Sequence, residues 1–305
     1  MRQAGKLRLK GLFRGSNDET RRGFNLSALI IVLASLAQLI GALVYVTSNS
    51  WNPVDDFAII DMRIRDVWSL ATPLTGLYSR PGWNHPGPMM FWVLSPSYEL
   101  SGGASNWVRI GGVVVATVFI STALFLAARL SRSMLVVAAL LWLLSLLALP
   151  IDALRAYWNP WMPLPAFILL IVLVLRVAAG RTRDLIGVVV VGSFAVQTHV
   201  GTALLVAVLA IFALGFITLD ALRSRSMPAG WRPTLLWTAG VATLLWLAPL
   251  VGVITRAPVN LSLVGQYFLK DSDSSIGMSS GLKIMANEFS PPIPWMGGGY
   301  TKRSL

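Results

Sequence analysis

Two neighbouring carboxylates are the first residues in the chain whose types and spacing could do chemistry. Asp55 and Asp56 stand in the sequence Trp51-Asn-Pro-Val-Asp-Asp-Phe, shortly after a long apolar run. Adjacent carboxylates can hold a divalent cation, or one of them can act as a general base. Residues 56–70 carry an apolar side chain every three or four positions, which predicts an amphipathic helix lying on a membrane surface. A pair that merely caps this helix, at the end where negative charge is favourable, is the structural alternative.

A second candidate lies in the segment Tyr78-Ser-Arg-Pro-Gly-Trp-Asn-His-Pro-Gly-Pro. Its density of glycine and proline predicts a fixed loop and not a helix. The loop presents Arg80, Asn84 and His85 beside aromatic rings. A guanidinium, an amide and an imidazole at a membrane surface suit a phosphate-bearing lipid headgroup. A purely structural role for a histidine beside prolines stays open.

Three further polar places complete the set of candidate substrate-binding side chains. They contribute Arg155, Asn159, His199 and Arg256. Arg155 has a neighbour, Asp152, with which it can pair. His199 belongs to the triplet Gln197-Thr-His, for which a polar turn is an equally good interpretation.

The elements that must position these residues are membrane helices. The 305 residues are 55% hydrophobic and only 12% charged, about half the charge expected of a soluble globule. The mean hydropathy is +0.67, and the apolar residues fall in long runs separated by short charged stretches. This pattern predicts an all-α, polytopic helical membrane protein, because each segment in lipid must satisfy its own backbone hydrogen bonds. The chain has no cysteine, which excludes disulfides, thiolate metal sites and cysteine nucleophiles.

About seven runs are long and apolar enough to cross a bilayer. They are residues 26–46, 110–128, 134–149, 161–175, a first and second half of 185–219, and 235–254. The run 185–219 is too long for one crossing, since 35 residues of helix would span roughly 52 Å against a core of about 30 Å. We predict that it breaks at Gln197-Thr198-His199, its only strongly polar triplet.

Charge places the two faces of the membrane. With the N-terminus in the cytoplasm, the inner segments hold 15 basic and 4 acidic residues, and the outer segments hold 10 and 9. This bias is typical of a multi-pass plasma-membrane protein, and it explains the net charge of +12 without a nucleic-acid partner. The predicted organisation is a basic N-terminus (1–25), a transmembrane domain (26–254) with a large first outer loop (47–109), and an outer C-terminal segment (255–305).

Residues 26–130 resemble the GT-C superfamily of glycosyltransferases that use polyprenyl-phosphate sugars, such as protein mannosyltransferases and aminoarabinose transferases. The resemblance is carried by Asp55-Asp56 directly after the first crossing, by His85-Pro86-Gly87-Pro88 leading into aromatic residues, and by Trp107-Val-Arg109 at the second crossing. The family usually has Asp-Glu and His-Pro-Pro at the first two places. Its members also tend to be longer, so the resemblance implies a truncated or short form that ends within an outer loop.

The resemblance implies that Asp55 or Asp56 activates an acceptor hydroxyl for inverting attack on the anomeric carbon of the sugar. Arg80, Arg155 or Arg256 would then neutralise the departing phosphate. His85 would orient the acceptor or join a divalent cation with the two aspartates, and a requirement for metal stays open. The implied partners are a polyprenyl-phosphate sugar, membrane lipid, and a glycan, lipid or protein acceptor.

Two other classes of function fit part of the pattern. A transporter or flippase of a lipid-linked precursor would place polar groups near the middle of the membrane. Here the polar residues collect at one face, which favours an enzyme. A non-catalytic scaffold that binds a partner through its outer loops would need none of Asp55, Asp56 or His85.

Overall fold

The computed structural model describes residues 51–148, 157–255, 259–269 and 277–289, together with scattered helical positions between 31 and 48. In these ranges the regular elements are helices, and the β-type pairing they contain is an isolated bridge between Tyr78 and Asn84. The prediction of an all-α fold is confirmed for this part of the chain.

Ten α-helices follow one another in the described ranges. In chain order they are α1 (Asp55–Arg65), α2 (Met89–Leu100), α3 (Ser105–Ala128), α4 (Arg132–Ala148), α5 (Pro163–Ala178), α6 (Leu185–Thr198), α7 (Ala203–Ser224), α8 (Trp231–Thr255), α9 (Asn260–Leu269) and α10 (Met278–Phe289). Short 3₁₀ turns at Asp66–Trp68, Thr182–Asp184 and Val200–Thr202 follow α1 and precede α6 and α7.

Three of these helices are long and apolar enough to cross a membrane. They span Ser105–Ala128, Val200–Ser224 (α7 with the 3₁₀ turn before it) and Trp231–Thr255. Shorter apolar helices cover Arg132–Ser145 and Pro163–Ala178. Many large apolar side chains on α7 and α8 are exposed, including Leu204, Ile211 and Leu236. Exposed apolar helix faces of this length indicate a membrane-embedded protein.

The long apolar run 185–219 breaks at the triplet predicted from the sequence. Helix α6 ends at Thr198, and His199 has an extended backbone with φ −149° and ψ 112°. The 3₁₀ turn then leads into α7 at Ala203. The prediction of a break at Gln197-Thr198-His199 is therefore confirmed.

The amphipathic pattern after Asp56 does form a helix, but its apolar stripe packs against protein. Ile60 and Ile64 on α1 are completely buried, and Val67 in the turn that follows is nearly so. They belong to the same core as Phe91 and Leu94 of α2. Burial against α2 removes this stripe from water as effectively as lipid would, so the expectation that the stripe itself faces the membrane is wrong.

Helix α5 is the centre of the bundle and packs against α3, α6 and α7. It begins at Pro163, a position where the missing N–H costs no helical hydrogen bond. At its far end Arg176 is buried, and its Nε lies 2.7 Å from Oδ2 of Asp184. The Nη1 of Arg176 also donates to the carbonyl oxygen of Leu126 at 3.4 Å. These contacts join the ends of α3 and α5 to the start of α6.

Candidate functional site

The segment 51–104 contains α1 and α2 and forms most of the predicted first outer loop; it is called the first loop below. It contacts four helix junctions at one end of the bundle. Each junction supplies one hydrogen-bond partner: the start of α3, the segment before α5, the α6–α7 turn and the start of α9. The pairs are Ser105 with Asp61, Trp158 with Asp56, Val200 with His85, and Asn260 with Asn84. The candidate residues of the first loop are therefore held by elements far away in the sequence.

The acidic pair lies at the N-terminus of α1 and is exposed. The indole Nε1–H of Trp158 donates a hydrogen bond of 2.8 Å to Oδ2 of Asp56. Asp55 has φ +50°, a left-handed backbone conformation that residues with a Cβ rarely adopt. Such backbone strain is concentrated at functional sites. One carboxylate is thus oriented by the segment before α5, while the other projects from an unusual backbone position.

The two histidines of the chain come together, although 113 positions separate them in the sequence. The ring centroids of His85 and His199 are 4.7 Å apart with an interplanar angle of 33°. The Nδ1 of His85 accepts a hydrogen bond of 3.1 Å from the backbone N–H of Val200. His85 must be neutral to accept this bond, with its proton on Nε2.

Burial explains why the imidazoles stay neutral. Together with a smaller contribution from the neighbouring His199, burial lowers the pKa of His85 from 6.5 to about 4. Burial also lowers the pKa of His199. Both rings are therefore predominantly neutral at pH 7, and Nδ1 of His85 serves as a hydrogen-bond acceptor.

A short hairpin presents His85. The backbone N–H of His85 donates to the carbonyl of Leu77, and the N–H of Ser79 donates to the carbonyl of Trp83. The chain reverses at Gly82, whose φ of +92° suits a residue without a Cβ. The density of glycine and proline thus predicted the right kind of structure, a fixed loop.

Gly87 allows the hairpin to approach the broken helix. A Cβ at this position would overlap the side-chain amide of Gln197. Gln197 is completely buried, and its Nε2 donates to the carbonyl of Leu245 at 2.9 Å. A residue larger than glycine in His85-Pro-Gly-Pro would push the first loop away from the α6–α7 turn.

Three buried polar atoms around the histidines have no hydrogen-bond partner in the described part of the chain. They are Nε1 of Trp83, Oε1 of Gln197 and Oγ1 of Thr198. Buried polar groups are nearly always paired with protein, water or ligand. A donor and two acceptors are therefore free to bind a hydroxyl-bearing ligand or ordered water.

A second buried polar cluster was missed by the sequence analysis as a site. Asp61 on α1 and Arg109 on α3 are both buried, as is Tyr157 before α5. The guanidinium of Arg109 lies over the rings of Tyr45 and Trp51, at 4.8 and 5.1 Å from their centroids.

The members of this cluster interact electrostatically. Oδ2 of Asp61 accepts a hydrogen bond of 2.8 Å from Ser105, while its Oδ1 and the hydroxyl of Tyr157 have no partner among the described residues. Burial raises the pKa of Tyr157, Asp61 raises it further, and Arg109 opposes the rise. A signal was present in the sequence, since Asp61 is four residues after Phe57 and three before Ile64, which puts it on the apolar face of the predicted helix.

The remaining predicted residues are dispersed. Arg80 is exposed near the hairpin tip, and Asn159 is buried before α5. The backbone N–H and carbonyl of Asn84 bond to the side chain of Asn260, at 2.7 and 2.9 Å. Arg155 and Arg256 lie outside the described residues.

The metal site suggested for Asp55, Asp56 and His85 is not assembled by these contacts. Within the described ranges, no three His, Cys, Asp or Glu side chains are grouped so that they could hold a metal ion. Asp56 contacts Trp158, whereas His85 contacts the α6–α7 turn. The two halves of the proposed ligand set thus have different neighbours.

No family model, no curated protein and no solved structure matches the chain. The functional argument therefore depends on the geometry of its own residues.

Proposed function

We propose that the chain is a GT-C-type membrane glycosyltransferase that moves a sugar from a polyprenyl-phosphate donor to an acceptor hydroxyl on the outer face. One observation carries the proposal: Asp56 of an exposed acidic pair is oriented by Trp158 from a second loop, at the end of the bundle where both histidines also meet. An enzyme of this type needs a carboxylate base and polar groups at the membrane surface, where the lipid phosphate lies.

The proposed topology has about seven crossings with the N-terminus in the cytoplasm. The support for this topology is that helix ends alternate between the two faces of the membrane with every crossing. A seven-crossing chain puts the start of α3, the start of α5, the α6–α7 turn and the end of α8 on one face. Residues at or next to all four of these places contact the first loop. The basic clusters of the chain then lie on the other face, as the positive-inside bias requires.

In the proposed reaction Asp56 acts as the general base. Its Oδ2 is held by Trp158, which leaves Oδ1 to accept the proton of the acceptor hydroxyl. The acceptor oxygen forms a bond to the anomeric carbon from the face opposite the phosphate. The bond between that carbon and the phosphate oxygen breaks, and its electron pair leaves with the polyprenyl phosphate. Arg80 is the described candidate for stabilising this charge.

Replacement of the acidic pair tests the proposal. Membranes containing wild-type chain are compared with Asp56→Asn and Asp55→Asn variants for transfer from a polyprenyl-phosphate sugar. We expect Asp56→Asn to lower the rate by about 10²-fold to 10⁴-fold, the usual contribution of a general base. Trp158→Phe should cause a smaller loss, because it removes only the hydrogen bond that orients Asp56.

Asp66→Asn is the matched control, since Asp66 lies in the same segment but belongs to the 3₁₀ turn after α1. It should retain the wild-type rate. Equal rates for wild type, Asp55→Asn and Asp56→Asn on a confirmed activity would refute the mechanism.

A transporter of a lipid-linked precursor is the second candidate, and one observation favours it. The break between α6 and α7 leaves Oε1 of Gln197 and Oγ1 of Thr198 buried without a partner in the described ranges, and transporters use broken helices to bind substrates. Movement of a fluorescent polyprenyl-phosphate analogue across vesicles containing the purified chain, without any sugar transfer, would support this candidate over the enzyme.

A further inference from the structure

A groove of about 560 Å³ lies at the end of the bundle away from the first loop, where α7 ends and the chain turns into α8. It is distinct from the proposed catalytic face, because Leu214, the first of its lining residues on α7, lies roughly 16 Å along the helix from Ala203 at the start of α7. The apolar residues that line it are Leu214, Ile217, Ala221, Leu222, Met227 and Trp231.

The groove opens towards the surroundings of the helices. Leu214 and Leu222 are 47% and 70% exposed, while Ile217 is buried and forms its floor. From Leu214 to the helix end the wall runs about 16 Å along α7. An apolar channel of this length on a membrane helix suits a lipid acyl chain.

Arg225 stands at the mouth of the groove in a left-handed conformation, with φ 52° and ψ 28°. Only Asp55 shares a positive φ among the other described non-glycine residues. This conformation is unfavourable for arginine, because its Cβ approaches the following carbonyl oxygen. It ends α7, and the next two residues, Ser226 and Met227, line the groove together with side chains of α7.

The positive charge of the residues around Arg225 favours the binding of an anion. Residues 220–232 contain Arg223, Arg225 and Arg232 against the single acid Asp220. Arg225 is exposed and forms no ion pair with any described residue. A guanidinium beside a tryptophan at the end of a membrane helix is well placed for a phosphate at headgroup level.

We propose that this groove binds one anionic phospholipid, with an acyl chain along the wall of α7 and the headgroup phosphate at Arg225. The site requires only that the chain is embedded in a membrane, so it stands independently of sugar transfer. In the proposed topology the bound lipid belongs to the cytoplasmic leaflet.

Native mass spectrometry of the full chain released from vesicles tests the site. Vesicles of phosphatidylglycerol mixed with phosphatidylcholine are used for wild type, Arg225→Gln and the matched control Arg223→Gln, which removes the same charge from a residue outside the groove. We expect wild type and Arg223→Gln to retain one phosphatidylglycerol molecule. Arg225→Gln should retain it about fivefold less, the size of one basic side chain's attraction to an anionic lipid surface.

A third variant and a competing ligand complete the experiment. Arg225→Gly removes the charge and suits the left-handed backbone, so it should lose the lipid while unfolding at the wild-type temperature or above. Soluble glycerol phosphate should not displace the lipid, because it lacks the acyl chain. Equal loss in the Arg223 and Arg225 variants, no preference for phosphatidylglycerol, or displacement by glycerol phosphate would overturn the proposal.

Discussion

At the scale of single residues, the contact between the two histidines couples the first loop to the broken helix. His85 supplies both a ring surface for His199 and an acceptor for the N–H of Val200. The acceptor exists only while Nδ1 carries no proton. The contact is therefore sensitive to acid, although neither ring needs to titrate at neutral pH.

We predict that this contact contributes stability that disappears in mild acid. The pKa of His85 is about 4 in the folded chain against 6.5 when exposed, so the unfolded state binds more protons between these values. Stability from His85 is complete above pH 6.5 and is lost as the pH falls towards 4, by an amount on the order of 2 kcal/mol. The measurement is the unfolding temperature in detergent from pH 4 to 8.

His85→Asn is the matched variant for that measurement. Its Oδ1 can accept the N–H of Val200 but does not titrate in this range. Its unfolding temperature should therefore fall less steeply in acid, with the slope that remains due to His199. Parallel pH curves for the variant and wild type would show that the contact does not carry the effect.

At the scale of elements, two features decide where the helices end and meet. Helix α6 ends at Thr198 within a run that would otherwise be one long helix, and Gly87 lets the first loop approach this end at Gln197. At the opposite end, the ion pair of Arg176 and Asp184 joins α5 to the start of α6. A buried charge has to be paired, so this contact constrains how the end of α5 packs against the start of α6.

We predict that Arg176→Met destabilises the chain by about 3 kcal/mol, because it leaves Asp184 unpaired at the end of the bundle. The double variant Arg176→Met/Asp184→Leu should recover most of this loss, since no unpaired charge remains. Denaturant unfolding in mixed micelles measures both. Arg181→Met, at an exposed arginine of the same segment, is the control and should have little effect. Equal effects of Arg176→Met and Arg181→Met would contradict the argument.

At the scale of the whole molecule, the first loop organises one end of the bundle while basic residues collect at the other. The hydrogen bond from Val200 to His85 spans 115 residues, and that from Asn84 to Asn260 spans 176. Such long-range contacts bring together segments that the sequence places far apart. Because these contacts hold distant segments at the same end of the bundle, the orientation of the whole chain in the membrane can be tested at a few positions.

The absence of cysteine from the natural chain allows that orientation to be mapped directly. We predict that Ala71→Cys reacts with a membrane-impermeant maleimide in intact cells. Ser133→Cys and Ser226→Cys should react only after the membrane is opened. All three positions are exposed, so accessibility to the reagent depends on the side of the membrane. Labelling of Ala71→Cys and Ser226→Cys from the same side would contradict the proposed topology.

Much of the fold followed from local patterns in the sequence. Long apolar runs predicted helices, the polar triplet at Gln197 predicted the break in one of them, and glycine and proline predicted a fixed loop around His85. These signals are local because helix formation and turn geometry depend on neighbouring residues. The surface against which α1 packs was predicted wrongly, since an apolar stripe has the same pattern whether lipid or protein covers it.

The candidate site was predicted less completely. The sequence identified Asp55, Asp56, His85 and His199 as chemically interesting, but not which of them are neighbours. It gave no sign that Trp158 holds Asp56 or that Asp61 and Arg109 both lie near Tyr157.

By itself, the sequence determined that this protein is helical and rich in apolar runs of membrane-spanning length. It also determined that the run 185–219 breaks at the triplet that begins with Gln197. Only the tertiary structure decided that His85 meets His199, that Asp56 and this pair have different hydrogen-bond partners, and that Arg225 lines a groove. The physical reason is that composition and periodicity act over a few residues. Contacts between distant segments depend instead on how whole helices pack and on which buried polar groups must find a partner.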